Sequence, residues 1–142
     1  MHDSRLVHVQ LTRVASEASL DALHLALESF WGQAPPHQAL SSRWKIEFNM
    51  AVAEVAANVI EHAHVHATPG MYTVTLSLYR DSVTAVIADN GRPYVEAAEE
   101  QDPLAEGGRG LRLARMALDR LEYLRQGDKN LWTLEKRYAP QA

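Results

Sequence analysis

A chain of 142 residues with 46% apolar and 23% charged residues has single-domain length and average soluble composition, which argues against a disordered, collagenous or membrane-embedded protein. Its net charge of −4, with no strongly basic run, argues against a nucleic-acid binder that neutralises phosphates, while a free nucleotide stays open. The absence of cysteine excludes disulfides, thiolate catalysis and Cys-ligated zinc; with no signal-like start and no apolar run of about 18 residues, a cytoplasmic location away from the membrane is expected.

From Leu6 to Thr12, Val7, Val9 and Leu11 alternate with polar residues and predict a half-buried strand. Ser16 and Ser19 are cap candidates for a first helix, in which Leu20, Leu23, Leu27 and Phe30 recur at helical spacing until Gly32 and Pro35-Pro36. A second helix begins near Ser41 and runs to the His-rich stretch before Pro69-Gly70; Leu40, Trp44, Phe48, Ala51, Val55 and Val59 mark its buried stripe. Tyr72 to Leu78 alternates and Val83 to Ala88 is almost continuously apolar, which predicts a hairpin turning at Asp81-Ser82. Arg92 to Gly110, rich in glycine, proline and acid, offers no core face and predicts a functional loop or lid over about 92–108. Leu111, Ala114, Leu118 and Leu121 mark a third helix, and Tyr123–Arg125 and Leu131–Lys136 a last strand pair around Gly127-Asp128. With neither repeat nor linker, residues 1–142 form one layered α/β domain with helices covering one face of a sheet.

Three short patterns carry chemistry. Glu54 and Asn58 lie four residues apart on one helix face, beside the buried stripe. A carboxylate there can take a proton from an attacking hydroxyl, and an amide oxygen suits Mg²⁺; an isolated pair of this kind is nonetheless most often an ordinary solvated stripe. Asp89-Asn90-Gly91 puts a carboxylate at the end of a strand, where it can accept from the exocyclic amine of adenine and discriminate against the carbonyl of guanine, though the same tripeptide makes simple turns. Gly107-Gly108-Arg109-Gly110 precedes the third helix, where free backbone N–H groups cradle anions and a hinge is the plainer alternative. It matches neither the P-loop nor the dinucleotide fingerprint, because Leu113 stands where the latter needs glycine.

In this chain order the patterns resemble those of the GHKL ATPases (gyrase, Hsp90, histidine kinase, MutL), with Glu54–Asn58 as the N box, Asp89–Gly91 as the first glycine box and Gly107–Gly110 as the second. The wording AVAEVAANVIEHAH, VIADNGRP and GGRGLRLARMALDRLEY, on so short a chain, is similar to the anti-sigma factor serine kinases of the RsbW and SpoIIAB type. The resemblance implies an α/β two-layer sandwich of the Bergerat ATP-binding kind: a mixed, largely antiparallel sheet, helices on one face, and an ATP lid. It implies Glu54 as the catalytic base, Asn58 as the Mg²⁺ ligand, Asp89 and Gly91 at the adenine, and Gly107, Gly108, Arg109 and Gly110 at the phosphates. Two departures stand out: Pro93 replaces a second glycine of the first box, and Lys129-Asn130 replaces a Gly-Thr, so that a water-mediated adenine contact falls to Asn130 or is missing.

The resemblance further implies ATP as phosphoryl donor, a homodimer, and two protein partners: a sigma factor and a STAS-domain antagonist phosphorylated on serine. A nucleotide-gated binding module without kinase activity is the rival, and an interaction domain without nucleotide a third reading. His62, His64 and His66 are spaced by two, which scatters them around a helix and favours a solvated terminus over zinc. Trp31, Trp44 and Trp132 occupy apolar phases and are expected in the core.

Overall fold

In the computed structural model, which describes residues 5–35, 40–63, 70–94 and 106–138, the alternating segments form five strands and the periodic ones three helices. They follow in the order β1 (Val7–Val14), α1 (Ser19–Gly32), α2 (Ser42–Asn58), β2 (Met71–Leu78), β3 (Ser82–Asp89), α3 (Glu106–Ala117), β4 (Arg120–Gln126) and β5 (Lys129–Arg137). A π-helical turn, Val59–Ala63, extends α2. Residues 95–105, most of the expected lid with Glu96, Glu99, Glu100 and Asp102, lie outside the described residues, as do His64 and His66.

The sheet order is β1-β2-β3-β5-β4, and all four ladders are antiparallel. The largely antiparallel sheet of the expected fold is present, and among the described residues no ladder is parallel. The Ala15 N–H donates to the Gly70 carbonyl at 2.8 Å, so the chain leaves β1 and enters β2 at one end of the sheet after passing through two helices. The β2–β3 and β4–β5 connections are tight turns, the second made at Gly127, whose φ of 59° is the left-handed conformation that glycine adopts without steric penalty.

One face of the sheet is buried: Val7 of β1, Tyr72, Val74, Leu76 and Leu78 of β2, Val83, Ala85 and Ile87 of β3, and Trp132 and Leu134 of β5 meet Leu23, Leu27 and Phe30 of α1, Phe48, Val52 and Val55 of α2, and Leu111 and Ala114 of α3. The opposite face carries His8, Gln10, Thr12, Thr73, Thr75, Thr84 and Thr133, half-buried or exposed. That alternation is what a sheet covered on one side requires. Trp132 is fully in the core, whereas Trp31 and Trp44 are half-buried at its margin.

Local chemistry sets the element ends. Ser41, in extended backbone, caps α2 by accepting from the Trp44 N–H. Ser19 makes no cap for α1; its hydroxyl donates to the Ser16 carbonyl at 2.5 Å and receives the Tyr72 hydroxyl at 2.6 Å, which ties α1 to β2. Lys136 on β5 donates to the Ala117 carbonyl at the end of α3, pairs with Glu47 at 3.3 Å, and lies over the Trp44 ring. One cation thereby holds α2, α3 and β5 together.

Two boundaries move. The expected third-helix stripe ran through Leu118 to Leu121, but α3 ends at Ala117; the Leu118 N–H makes a last bond to Ala114, and Asp119 already donates to the Glu135 carbonyl. Leu121 belongs to β4, opposite Leu134. Its position satisfies both a helical and a strand period, and pairing with the exposed edge of β5 decides between them. At the other end, α3 begins at Glu106, so the glycine run lies within the helix rather than ahead of it.

Candidate functional site

β3 delivers Asp89 to the helix-covered face at the end of a central strand, where it is 5% exposed. The ladders place Tyr72 of β2, Asp89 of β3, Asn130 of β5 and Arg125 of β4 in one row across the sheet. Asp89 Oδ1 accepts from the Gly91 N–H at 2.7 Å and from Asn130 Nδ2 at 2.9 Å. The Asp-Asn-Gly signature is thus both things at once: a side-chain-closed turn and a buried carboxylate held at a strand end.

Asn130, 2% exposed, is the centre of a network. Its Nδ2 also donates to the Arg92 carbonyl at 2.8 Å and, more weakly, to the Gly91 carbonyl at 3.4 Å. Its Oδ1 accepts from Arg125 Nη1 at 3.1 Å and, in a very short bond, from the Tyr123 hydroxyl. Arg125 Nη1 reaches the Gly91 carbonyl at 2.7 Å, and the Tyr123 hydroxyl accepts from the Tyr94 N–H at 3.0 Å. The rings of Tyr94, Tyr123 and Trp132 pack edge-on or tilted, with centroids 4.8 to 5.7 Å apart. Tyr94, Tyr123 and Arg125 are not among the site residues expected from the sequence; the period of two through Leu121, Tyr123 and Arg125, which puts these three on the face that carries Asn130, is a signal for Tyr123 and Arg125, while Tyr94 has none.

Asn58 closes α2, which packs on β3 and β5 and runs beside α3. It is 4% exposed, and among the described residues its Oδ1 is buried without a hydrogen-bond partner. A buried, unpartnered amide oxygen costs about 1–3 kcal/mol and calls for a ligand or another explanation. The π turn begins at the very next residue, and such turns recur at functional sites. Glu54, one turn earlier on α2, is exposed. A neutral hard oxygen with an open lone pair, on the helix that also carries an exposed carboxylate, fits a Mg²⁺ ion that keeps water and phosphate as its other ligands.

Gly107, Gly108, Arg109 and Gly110 lie in the first turns of α3, where the leading backbone N–H groups have no partner within the helix. Gly91 is in the Asp89–Asn130 cluster, and Asn130 meets Asp89 directly. The structure therefore brings Asp89, Gly91 and Asn130 into contact, and places Glu54 and Asn58 on α2 and the glycine run on its neighbour α3. A small cleft lined by Met71, Thr73, Ala88, Asp89, Asn90 and Lys129 opens at the same end of the sheet. Thr73 and Ala88 point away from the helices, so this cleft is separate from the space between the layers. Among the described residues there is no cluster of three metal-ligating side chains and no helix long and apolar enough to cross a membrane.

An antiparallel sheet covered on one face, with an acid at a central strand end and an orphaned amide oxygen on a covering helix, defines an α/β sandwich with these candidate site residues on the covered side. The model of the histidine kinase-like ATPase domain matches residues 5–136, and the chain belongs to that family. As a member of an ATPase family it carries an ATP-binding domain. The chain is 31% identical to the serine/threonine-protein kinase BtrW of Bordetella bronchiseptica over 140 residues, covering 91% of this chain and 92% of that protein. Its fold is that of the histidine kinase domain of the blue-light activated kinase of Erythrobacter litoralis (TM-score 0.55, 17% identity, 80% of this chain). The chain spans only 60% of that structure's length. The histidine kinase AdeS of Acinetobacter baumannii is also similar (TM-score 0.50, 12% identity, 92% of this chain and 68% of that one).

Proposed function

We propose that the protein is an ATP- and Mg²⁺-dependent protein serine kinase that acts as an anti-sigma factor, phosphorylating a STAS-domain antagonist and sequestering a sigma factor. The observation that carries the reading is Asn58, whose buried Oδ1 has no partner among the described residues on the helix that bears Glu54. The Ser/Thr kinase named among the relatives, matched over nearly its whole length, supports the reaction type.

In this reading Asp89 accepts a hydrogen bond from the adenine amine, and the unpaired first-turn N–H groups of α3, at Gly107 and Gly108, receive the phosphate oxygens, with Arg109 and Gly110 close by. Asn58 would hold Mg²⁺, which would supply charge neutralisation at the phosphates. A serine oxygen of the antagonist attacks the γ-phosphorus, the bond to the β,γ-bridging oxygen breaks, ADP leaves, and the serine proton passes to Glu54. Such chemistry needs positioning and charge neutralisation more than covalent participation by the protein. The exposure of Glu54 lets an incoming protein hydroxyl reach it.

The test is transfer of γ-labelled phosphate to a serine of the STAS protein encoded nearest to this chain's gene. Glu54→Gln is expected to abolish transfer and keep nucleotide binding. Binding of ATP without any transfer to antagonist, together with a Glu54→Gln protein that behaves like the parent, would leave the nucleotide-gated module as the better account. The homodimer is checked by light scattering, and the sigma factor by co-elution with and without ATP.

A further inference from the structure

We propose that Asn130, Arg125 and Tyr123 form a clasp that presets Asp89 and the segment following it, so that Asn130 acts as a positioning residue setting purine selectivity rather than as a ligand of the nucleotide. The inference deepens the reading of Asp89 as the adenine acceptor and rests on it.

The capacity of Asn130 is spent within the chain. An amide nitrogen has two protons, and Nδ2 directs them at Asp89 Oδ1, the Arg92 carbonyl and, in a longer contact, the Gly91 carbonyl. An amide oxygen has two lone pairs, and Oδ1 receives Arg125 and Tyr123. No donor or acceptor remains for a water that bridges to a base. Only an amide fits here: its nitrogen donates to a carboxylate while its oxygen accepts from a guanidinium and a phenol. Aspartate at this place would set two carboxylates against each other, and a hydroxyl is too short to span all four groups.

The clasp also acts on the chain beyond Asp89. The Gly91 carbonyl, the Arg92 carbonyl and the Tyr94 N–H are each bonded to a side chain of the β4–β5 hairpin. Between the last two sits Pro93, whose ring fixes φ. A segment stiffened at 89, 91, 92, 93 and 94 presents its carboxylate in one orientation before a ligand arrives. Preset orientation lowers the ordering cost of binding, and a fixed acceptor discriminates sharply between an amine and a carbonyl at the matching ring position.

The experiment uses the full chain, ADP and GDP by calorimetry, and amide hydrogen exchange of the nucleotide-free protein. Tyr123→Phe keeps the ring that packs on Trp132 and removes only the hydroxyl; Asn130→Ala removes the whole clasp. Tyr123→Phe is expected to speed exchange at the Tyr94 amide, weaken ADP by about tenfold, and narrow the ADP-over-GDP preference. Asn130→Ala is expected to go further on all three measures. Unchanged ADP affinity and preference in Tyr123→Phe, with faster Tyr94 exchange, would show a purely structural network and overturn the inference while Asp89 remains the acceptor. Equal loss of ADP and GDP would overturn it too, because the clasp then sets no selectivity. If the parent protein binds neither nucleotide, the reading of the site itself falls, and the inference with it. Should Asn130→Ala not fold, Tyr123→Phe decides alone.

Discussion

The end of β3 and the end of α2 are treated in opposite ways. At the strand end a buried amide is saturated, with Asn130 bonded to Asp89, Arg92, Arg125 and Tyr123. At the helix end a buried amide has an oxygen without a partner among the described residues, followed at once by a π turn. The two asparagines are about equally buried, so burial does not explain the difference. A side chain whose bonds are all internal shapes a site, whereas one left with an open lone pair at the cost of stability is available to a ligand. In the proposed reading, the recognition end is built in advance and the reacting end is left open.

The strongest way to break the strand-end half of this contrast is to remove its base. Trp132→Ala takes away the ring on which Tyr94 and Tyr123 pack and is expected to cost about 3–5 kcal/mol in denaturant unfolding, the usual range for a buried aromatic truncated to alanine. Next, Asp89→Asn is expected to weaken ADP by about 1.5–3 kcal/mol, the worth of a hydrogen bond to a charged group, as read by calorimetry. A change below threefold would remove Asp89 from the ligand's contacts.

The helix-end half predicts a smaller effect of opposite sign. Asn58→Leu is expected to leave the melting temperature unchanged or raise stability by up to about 1 kcal/mol, because it deletes an unsatisfied buried oxygen. The same variant should lose the Mg²⁺-dependent part of its thermal shift with ATP. Marked destabilisation would mean that Asn58 is a structural residue like Asn130.

The smallest effect lies outside both ends. The hydrogen bond from Lys136, and then its positive charge, hold the Glu47 carboxyl below its ordinary value of 4.5. A carboxyl depressed in the folded state contributes stability above its unfolded value, and that contribution disappears as pH falls through the folded value. Melting temperatures of Lys136→Met should therefore lack a small acid-limb decrease, in the region below about pH 5, that the parent shows. Glu47 is solvent-accessible, so high salt should blunt the difference.

Much of this was legible in the residue order. Strand and helix periods located β1, α1, α2 and the β2–β3 hairpin closely, because each buries one face and its period has no competitor. Periodicity does not resolve Leu121, where two periods overlap, or Glu106, where a run of glycines is not expected to open a helix. The largely antiparallel sheet followed from the family resemblance, because alternation in a strand says nothing about the direction of its neighbour. Asp89 and Asn58 were picked out as chemically capable residues on the right elements, but the sequence offered no means of telling a saturated asparagine from an open one.

The sequence by itself determined the strands and helices apart from the two ends of α3, which face of each is apolar, the absence of cysteine chemistry, and the order in which a carboxylate, an amide and a glycine run follow one another. These are local properties, written in periods of 2 and 3.6 and in side-chain type. Tertiary structure alone decided that β3 lies between β2 and β5, and hence that Asp89 meets Asn130, 41 residues away in the chain. It also decided that Asn130 closes inward while Asn58 stays open. The reason is that hydrogen-bond saturation depends on partners brought together by strand order and register, which no local pattern encodes.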